Sequence, residues 1–299
     1  HEGVLNFGDI RFGAIVSSRD RSKVPTNLLS GAHSTYHNLP PATRAVHGRS
    51  MEMEKLDAWF SSEVPMFVIS GIAGCGKTTL TSYWLNGILS AHPNTEIMYY
   101  PCQPWDTPLG IATSLLHRIG IGLDDDLQDP FSVLETLPLR PGVRIDIDSY
   151  RRRLTAHLLD DSGSMSKNNS ELLVVLDDVH NIGSEGDHLF GALLQIAEAT
   201  SLRLILISRT KLAFYDTRDV HTRGRVRELG LSGLSIDEVD AWISSLDLPS
   251  DTEVNKIHSI TGGHPLAVEL LELYGNTIHD DWMRFLDQEI LDVLPEDSR

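Results

Sequence analysis

The chain has 299 residues, 41% hydrophobic and 22% charged, a balance that excludes a fibrous or wholly disordered protein and leaves material for about two domains. No apolar run reaches the ~18 residues of a membrane span, and two cysteines, Cys75 and Cys102, cannot build a disulfide framework. The net charge is −17, and residues 233–299 hold 15 Asp/Glu against 3 Lys/Arg; such a surface repels phosphate backbones, which argues against direct nucleic-acid binding there.

The sequence opens HEGVLNFGDI, without Met, a basic n-region or an apolar h-region. It reads as a piece of a longer protein with no signal peptide, in a reducing, cytoplasmic setting. Residues 1–42 read as a linker or the tail of an upstream domain, with short β-like runs and then a polar stretch ending at Pro40-Pro41. His33 and His37 within it lack the Glu of a zincin motif and read as solvated loop residues.

From Pro65 the pattern changes to apolar runs separated by helical stretches. Strands are predicted at 66–70, 96–100, 172–176, 202–207 and 225–231, and helices at 77–89, 107–119, 150–159 and 189–199. Residues 121–147, acidic and Pro-containing, read as an insertion with a short helix at 131–137. Strands alternating with helices imply a parallel sheet covered on both faces. After Leu231 the strand signals stop, and helices are predicted at 235–246, 251–261, 265–274 and 280–291, the first opened by a Ser235/Glu238 capping box. The expectation is an α/β nucleotide-binding domain over 43–232, with a five-stranded parallel sheet, and a small all-α lid over 233–299.

Three clusters carry chemistry. Gly71-Ile72-Ala73-Gly74-Cys75-Gly76-Lys77-Thr78-Thr79 fits GxxxxGK(S/T) between a buried strand and a helix. Backbone N–H groups at such a helix N-terminus form an anion nest, and Gly71, Gly74 and Gly76 keep Cβ atoms out of it. Lys77 then reaches β- and γ-phosphates, Thr78 ligates Mg²⁺, and Cys75 is a small residue that fits a variable position. Leu172–Asp178 is an apolar strand ending in two carboxylates; Asp177 is placed to hold Mg²⁺ and Asp178 to polarise an attacking water. Arg209 follows the strand 202–207 and would lie near the γ-phosphate if that strand neighbours the phosphate-loop strand.

With these motifs the chain resembles the STAND class of signal-transduction ATPases, which includes the NB-ARC proteins. Two further elements carry the likeness: Val46-His47-Gly48-Arg49-Ser50-Met51-Glu52 for the hhGRxxE element and Gly263-His264-Pro265 for the GxP element. The resemblance implies that Val46, His47, Gly48 and Arg49 line an adenine pocket through their backbone, and that Pro265 packs on the adenine and ties the lid to ADP. His264 is a candidate phosphate contact. It further implies ATP/ADP and Mg²⁺ as ligands, slow hydrolysis, a closed ADP-bound monomer, and an ATP-bound homo-oligomer that activates an effector. Effector and sensor domains would lie outside this chain, and a winged helix would follow it. The alternatives are an AAA+ motor, with Arg223 or Arg225 serving a neighbour's site, a P-loop kinase with 121–147 as substrate lid, and a non-hydrolysing scaffold.

Overall fold

The structure is a computed structural model, and it describes residues 46–119, 147–159, 171–246 and 254–275. The linker expected over 1–42, the pair His33/His37, the insertion with its helix at 131–137, and the helix at 280–291 all lie outside the described residues. In chain order the elements are α1 (Ser50–Phe60), β1 (Met66–Ser70), α2 (Lys77–Ala91), β2 (Glu96–Pro101), α3 (Pro108–Ile119), α4 (Ile147–Leu159), β3 (Leu172–Asp177), α5 (Asp187–Ala199), β4 (Leu202–Ser208), α6 (Thr217–His221), β5 (Val226–Gly230), α7 (Ile236–Ser244), α8 (Val254–Thr261) and α9 (Pro265–Gly275). A 3₁₀ stretch, Val179–Gly186, joins β3 to α5.

The five strands pair in the order β2-β3-β4-β1-β5, every pair parallel. Strands buried on both faces need apolar residues at nearly every position, which is why β1, β3 and β4 read as continuous runs, whereas the edge strand β5 carries Arg227 and Glu228. Alternation still decides the face. Met66, Val68, Leu172, Val174, Leu204 and Leu206 pack with α3, α4 and α5, whereas Phe67, Ile69, Leu173, Val175, Ile205 and Ile207 pack with α1 and α2. Arg203 interrupts the β4 run for a local reason. Its guanidinium donates to Val64 O (2.7 Å) and Phe60 O (3.3 Å), satisfying carbonyls at the C-terminal end of α1, and lies 5.9 Å from the Trp59 ring centre.

The helix α1 was not among the expected elements. SMEMEKLDAWF buries only Leu56, Trp59 and Phe60, all in its second half, so its amphipathic signal is short. The short α6 was missed too; it is held by an Asp216/Asp219 capping box. Arg223 and Arg225, which the motor alternative would send to a neighbour, form ion pairs within the chain, Arg223 with Asp219 (2.9 Å) and Arg225 with Glu198 (2.5 Å) and Asp219 (3.0 Å).

The helices α7–α9 build a third cluster around Leu234, Val239, Trp242, Ile243, Ile257, Ala267 and Val268, separate from the two sheet faces. The Ser235/Glu238 capping box opens α7. The described residues lie within one compact unit, 37–299. Among them no helix is long and apolar enough to cross a membrane.

Ile205 is fully buried in β4, between two neighbouring strands. Ile205→Ala is expected to lower unfolding free energy by about 2–5 kcal/mol, read as a shift of the denaturant midpoint without loss of the transition's cooperativity.

Candidate functional site

The strand order puts β4 between β1 and β3. The three C-terminal ends therefore lie side by side, where ligands bind in open parallel sheets. Beyond β1 the chain turns through residues 71–76 and enters α2. Gly76 stands at φ 90°, a left-handed conformation that L side chains rarely adopt, and a Cβ placed on it would meet only Pro265 Cγ at 4.0 Å. The concavity above the loop is therefore open. The Lys77 side chain is buried and curls inside the loop, donating to Gly71 O (2.6 Å) and Ile72 O (2.8 Å).

Behind the loop, Thr78 Oγ1 donates to Asp177 Oδ2 (2.7 Å), which also accepts from the Tyr99 hydroxyl (2.6 Å), while Asp178 N donates to Asp177 Oδ1 (2.8 Å). Burial raises the Asp177 pKa, the neighbouring Asp178 adds to this, and the hydrogen bonds from Tyr99, Thr78 and Asp178 N work against it. A bound cation would offset this rise by favouring the charged carboxylate. Asp178 turns away with φ 53° and ψ 38°, a left-handed conformation that Asp tolerates better than most residues. Its Oδ1 lies 3.8 Å from His180 Nδ1. Burial lowers the His180 pKa against the pull of Asp178, and the charges of Arg209 and Lys77 lower it further. Arg209, one residue past β4, lines the same opening.

The segment 46–49 is the second wall. Gly48 and Arg49 are consecutive left-handed residues, φ 66° and 67°. Arg49 N donates to Glu238 Oε1 (2.6 Å). The buried Arg49 guanidinium donates to Ser232 O (2.5 Å), to Cys75 O (3.2 Å) and to Glu52 Oε1 (3.0 Å). One side chain thus links the phosphate loop, the connection after β5, and α1. The His47 ring stacks on Trp242 at 4.2 Å and 2°. Glu238 and Trp242 lie four residues apart on one face of α7, so this helix grips the segment at two points.

The third wall is α9. His264 Nε2 donates to Ala73 O (2.8 Å); a Cβ on Gly74 would lie 2.7 Å from the His264 ring, so only glycine permits this approach. The N-terminal ends of α2 and α9 both face the loop, adding two positive dipole ends.

The walls enclose a cleft of about 880 Å³, lined by Val46, His47, Arg49, Gly74, Cys75, Gly76, Lys77, Thr78, Thr79, Asp178, Arg209 and Pro265 among the residues singled out in the sequence. Four others stand outside this lining. Asp177 lies behind Thr78. Gly71 packs beneath the chain after β5, where a Cβ would come 2.5 Å from Leu231 O. Gly48 packs under the Glu238 carboxylate. His264 spends its Nε2 on the loop backbone, so the phosphate contact expected for it is not the contact the structure shows. The fully buried Cys75 thiol has its pKa raised by burial, against the charges of Lys77 and Arg49, in keeping with a small packed residue. The sequence reading missed Leu234, Trp242, Leu266, Glu269 and Glu272 in the lining. The helical spacing from Glu238 to Trp242 and from Pro265 to Glu269 was the available signal.

A phosphate-type loop, an Asp177 carboxylate on the Thr78 hydroxyl, and an arginine-tipped strand between them define a P-loop NTPase on a parallel five-stranded sheet. The family model described as an AAA ATPase domain matches residues 45–207, more than half of the chain, and the chain belongs to that family. The match ends at β4, before the helices that carry Pro265. Among solved structures, the chain is similar to Aeropyrum pernix Orc1 in complex with DNA (16% identity, TM-score 0.47, covering 87% of this chain and 63% of that one). It is also similar to Pyrobaculum aerophilum Cdc6p (14%, TM-score 0.46, 76% and 59%) and AMPPCP-bound DnaA from Aquifex aeolicus (14%, TM-score 0.46, 83% and 70%). The chain thus spans about 60% of the first two. No curated protein matches it.

Burial alone would raise the Glu238 pKa, but hydrogen bonds from Arg49 N, Ser235 N and the Ser235 hydroxyl, with the Arg49 charge, hold it below the usual value. A depressed folded-state pKa stabilises the fold above the unfolded value, about 4.3, and that share is lost as pH falls through the folded value. Glu238→Gln is expected to flatten the acid limb of the stability profile below about pH 4.5; a thermal-melt series across pH reads this directly.

Proposed function

We propose that this chain is a nucleotide-dependent switch of the STAND type, binding ATP or ADP between its α/β core and the helices α7–α9. The observation that carries the reading is the shared cleft. The open cradle at Gly76–Thr78 is faced by Pro265, while His264 on Ala73 O and Glu238 on Arg49 N fasten the helices to the two core segments that line it. On this reading residues 43–232 are the nucleotide-binding domain, 233–299 the lid, and 1–42 the connection to an upstream domain.

Phosphates in the cradle would draw Lys77 Nζ from Gly71 O and Ile72 O onto β- and γ-oxygens. Thr78 and Asp177 fit Mg²⁺: a hydroxyl and a carboxylate already in contact, hard oxygen donors both. An ion held this way takes its remaining ligands from phosphate and water. When bound, Mg²⁺ supplies charge neutralisation at the β- and γ-oxygens. In hydrolysis a water oxygen bonds to the γ-phosphorus, Asp178 takes the water proton, and the bond from the γ-phosphorus to the β–γ bridging oxygen breaks to give ADP and phosphate. Arg209 offsets the charge on the transferring group.

The γ-phosphate acts on Lys77, Arg209 and Asp178, all on the core, whereas Pro265 and α9 reach the cleft from the lid. A ligand shifts the closed–open equilibrium only by its difference in affinity for the two states. ADP favours the closed monomer on this reading, ATP the open state that oligomerises and brings effector domains together, and slow hydrolysis resets it. The acidic 233–299 segment supports a protein role without direct nucleic-acid contact.

ADP at about a hundred times its Kd is expected to stabilise the wild type by roughly 2.7 kcal/mol, seen as a raised melting temperature, and Lys77→Ala should abolish this rise. Asp178→Asn should retain ATP binding and lose phosphate release by about 10²-fold or more; a variant that releases phosphate at the wild-type rate removes Asp178 from its assigned role.

A further inference from the structure

Helix α9 starts against the phosphate loop and runs along the cleft. Pro265 faces Gly76, and the same lining includes Glu269 and Glu272. With a rise of 1.5 Å per residue, Glu269 lies about 6 Å and Glu272 about 10 Å farther along the axis than Pro265. Spacings of four and seven residues keep all three on one face. At the far level Glu272 Oε2 accepts from Trp242 Nε1 (3.1 Å), and Trp242 stacks on His47. The cleft is therefore graded: phosphate cradle at Pro265, a carboxylate one turn on, an aromatic wall two turns on.

A nucleotide has the same order, phosphates, then sugar, then base. A carboxylate accepts hydrogen bonds and donates none at neutral pH. At the middle level its complement is a pair of hydroxyls, the vicinal diol of ribose. A carboxylate at the phosphate level would repel the ligand, and the lining carries no lid carboxylate there: Pro265 and Leu266 occupy it.

We infer that Glu269 is the ribose-reading group of the site, accepting from the 2′- and 3′-hydroxyls, and that the cleft takes ribonucleoside over deoxyribonucleoside phosphates. This rests on the nucleotide-site reading above and deepens it. Glu269 belongs to the lid while the phosphates belong to the core, so the sugar is the part of the ligand that spans both. Losing the hydroxyls then costs affinity by weakening the hold of the lid on the ligand.

The test is calorimetric titration of wild type, Glu269→Ala, Glu269→Gln and Glu272→Ala with ADP, 2′-deoxy-ADP and 2′,3′-dideoxy-ADP. A hydrogen bond to a charged group corresponds to about tenfold in Kd. The wild type is expected to bind ADP about tenfold tighter than the 2′-deoxy form. In Glu269→Ala the ratio falls to within about twofold, because ADP affinity drops to the dideoxy level. Glu269→Gln keeps one acceptor oxygen and an intermediate ratio, and Glu272→Ala keeps the wild-type ratio. Wild type that binds ADP and the deoxy forms alike, or Glu269→Ala with undiminished discrimination, overturns the assignment while leaving the nucleotide site standing. Wild type that binds none of the three overturns both. An unchanged circular-dichroism melt of each variant without nucleotide separates loss of the contact from loss of the fold.

Discussion

The placement of β4 between β1 and β3 governs everything else in the molecule. The chain leaves β1, crosses to the far edge as β2, and returns through β3 and β4 to fill the gap. Residues about a hundred positions apart become neighbours: Thr78 meets Asp177 at 2.7 Å, and Arg209 at the end of β4 lines the same cleft. The parallel ladders pair Met66 with Leu204 and Val174 with Leu204, and all positions of the three strands but Ser70 and Arg203 are buried.

The second constraint is Arg49. A guanidinium is always charged, and burying one is tolerable only when its donors are satisfied. Here the acceptors are Cys75 O in the phosphate loop, Ser232 O where the chain leaves the sheet for α7, and Glu52 on its own helix. Arg49 stands at the N-cap of α1 with φ 67°, and its side chain reaches Glu52 in the first turn of that helix. The residue that the resemblance assigns to an adenine wall ties the phosphate loop to the chain that leaves β5.

The central strands were legible because strands buried on both faces are apolar at nearly every position, and the loop 71–79 because its glycines sit at fixed offsets. Thr78 and Asp177 were each read as Mg²⁺ ligands on the same sheet end; the hydrogen bond between them is seen only in the structure. What was not legible depends on docking. Gly71 and Gly48 looked like ligand-facing glycines, yet each lacks a Cβ to admit a protein group, Leu231 O or the Glu238 carboxylate. Trp242, Leu266 and Glu269 carry no motif, and their place in the cleft depends on how α7 and α9 dock on the core. The helix α1 was hidden by its own composition, SMEMEKLDAWF, whose buried side chains all fall near one end.

The way the helices α7–α9 are held bears on whether they can move. Their apolar cluster shares no residue with the two clusters on the sheet. The contacts joining them to the core are both polar and apolar: Glu238 with Arg49 N, His264 with Ala73 O, the Arg49 guanidinium with Ser232 O, His47 stacked on Trp242, and Leu266 and Pro265 beside Gly74 and Gly76. A buried apolar seam would resist opening in proportion to its area. Hydrogen bonds exchange with water at a net cost of about 0.5–1.5 kcal/mol each, somewhat more where a charge takes part. A ligand with unequal affinity for two states shifts a population on the scale of a few kcal/mol. Under the switch proposed above, the separate apolar cluster is what lets the helical unit move as a body without unfolding.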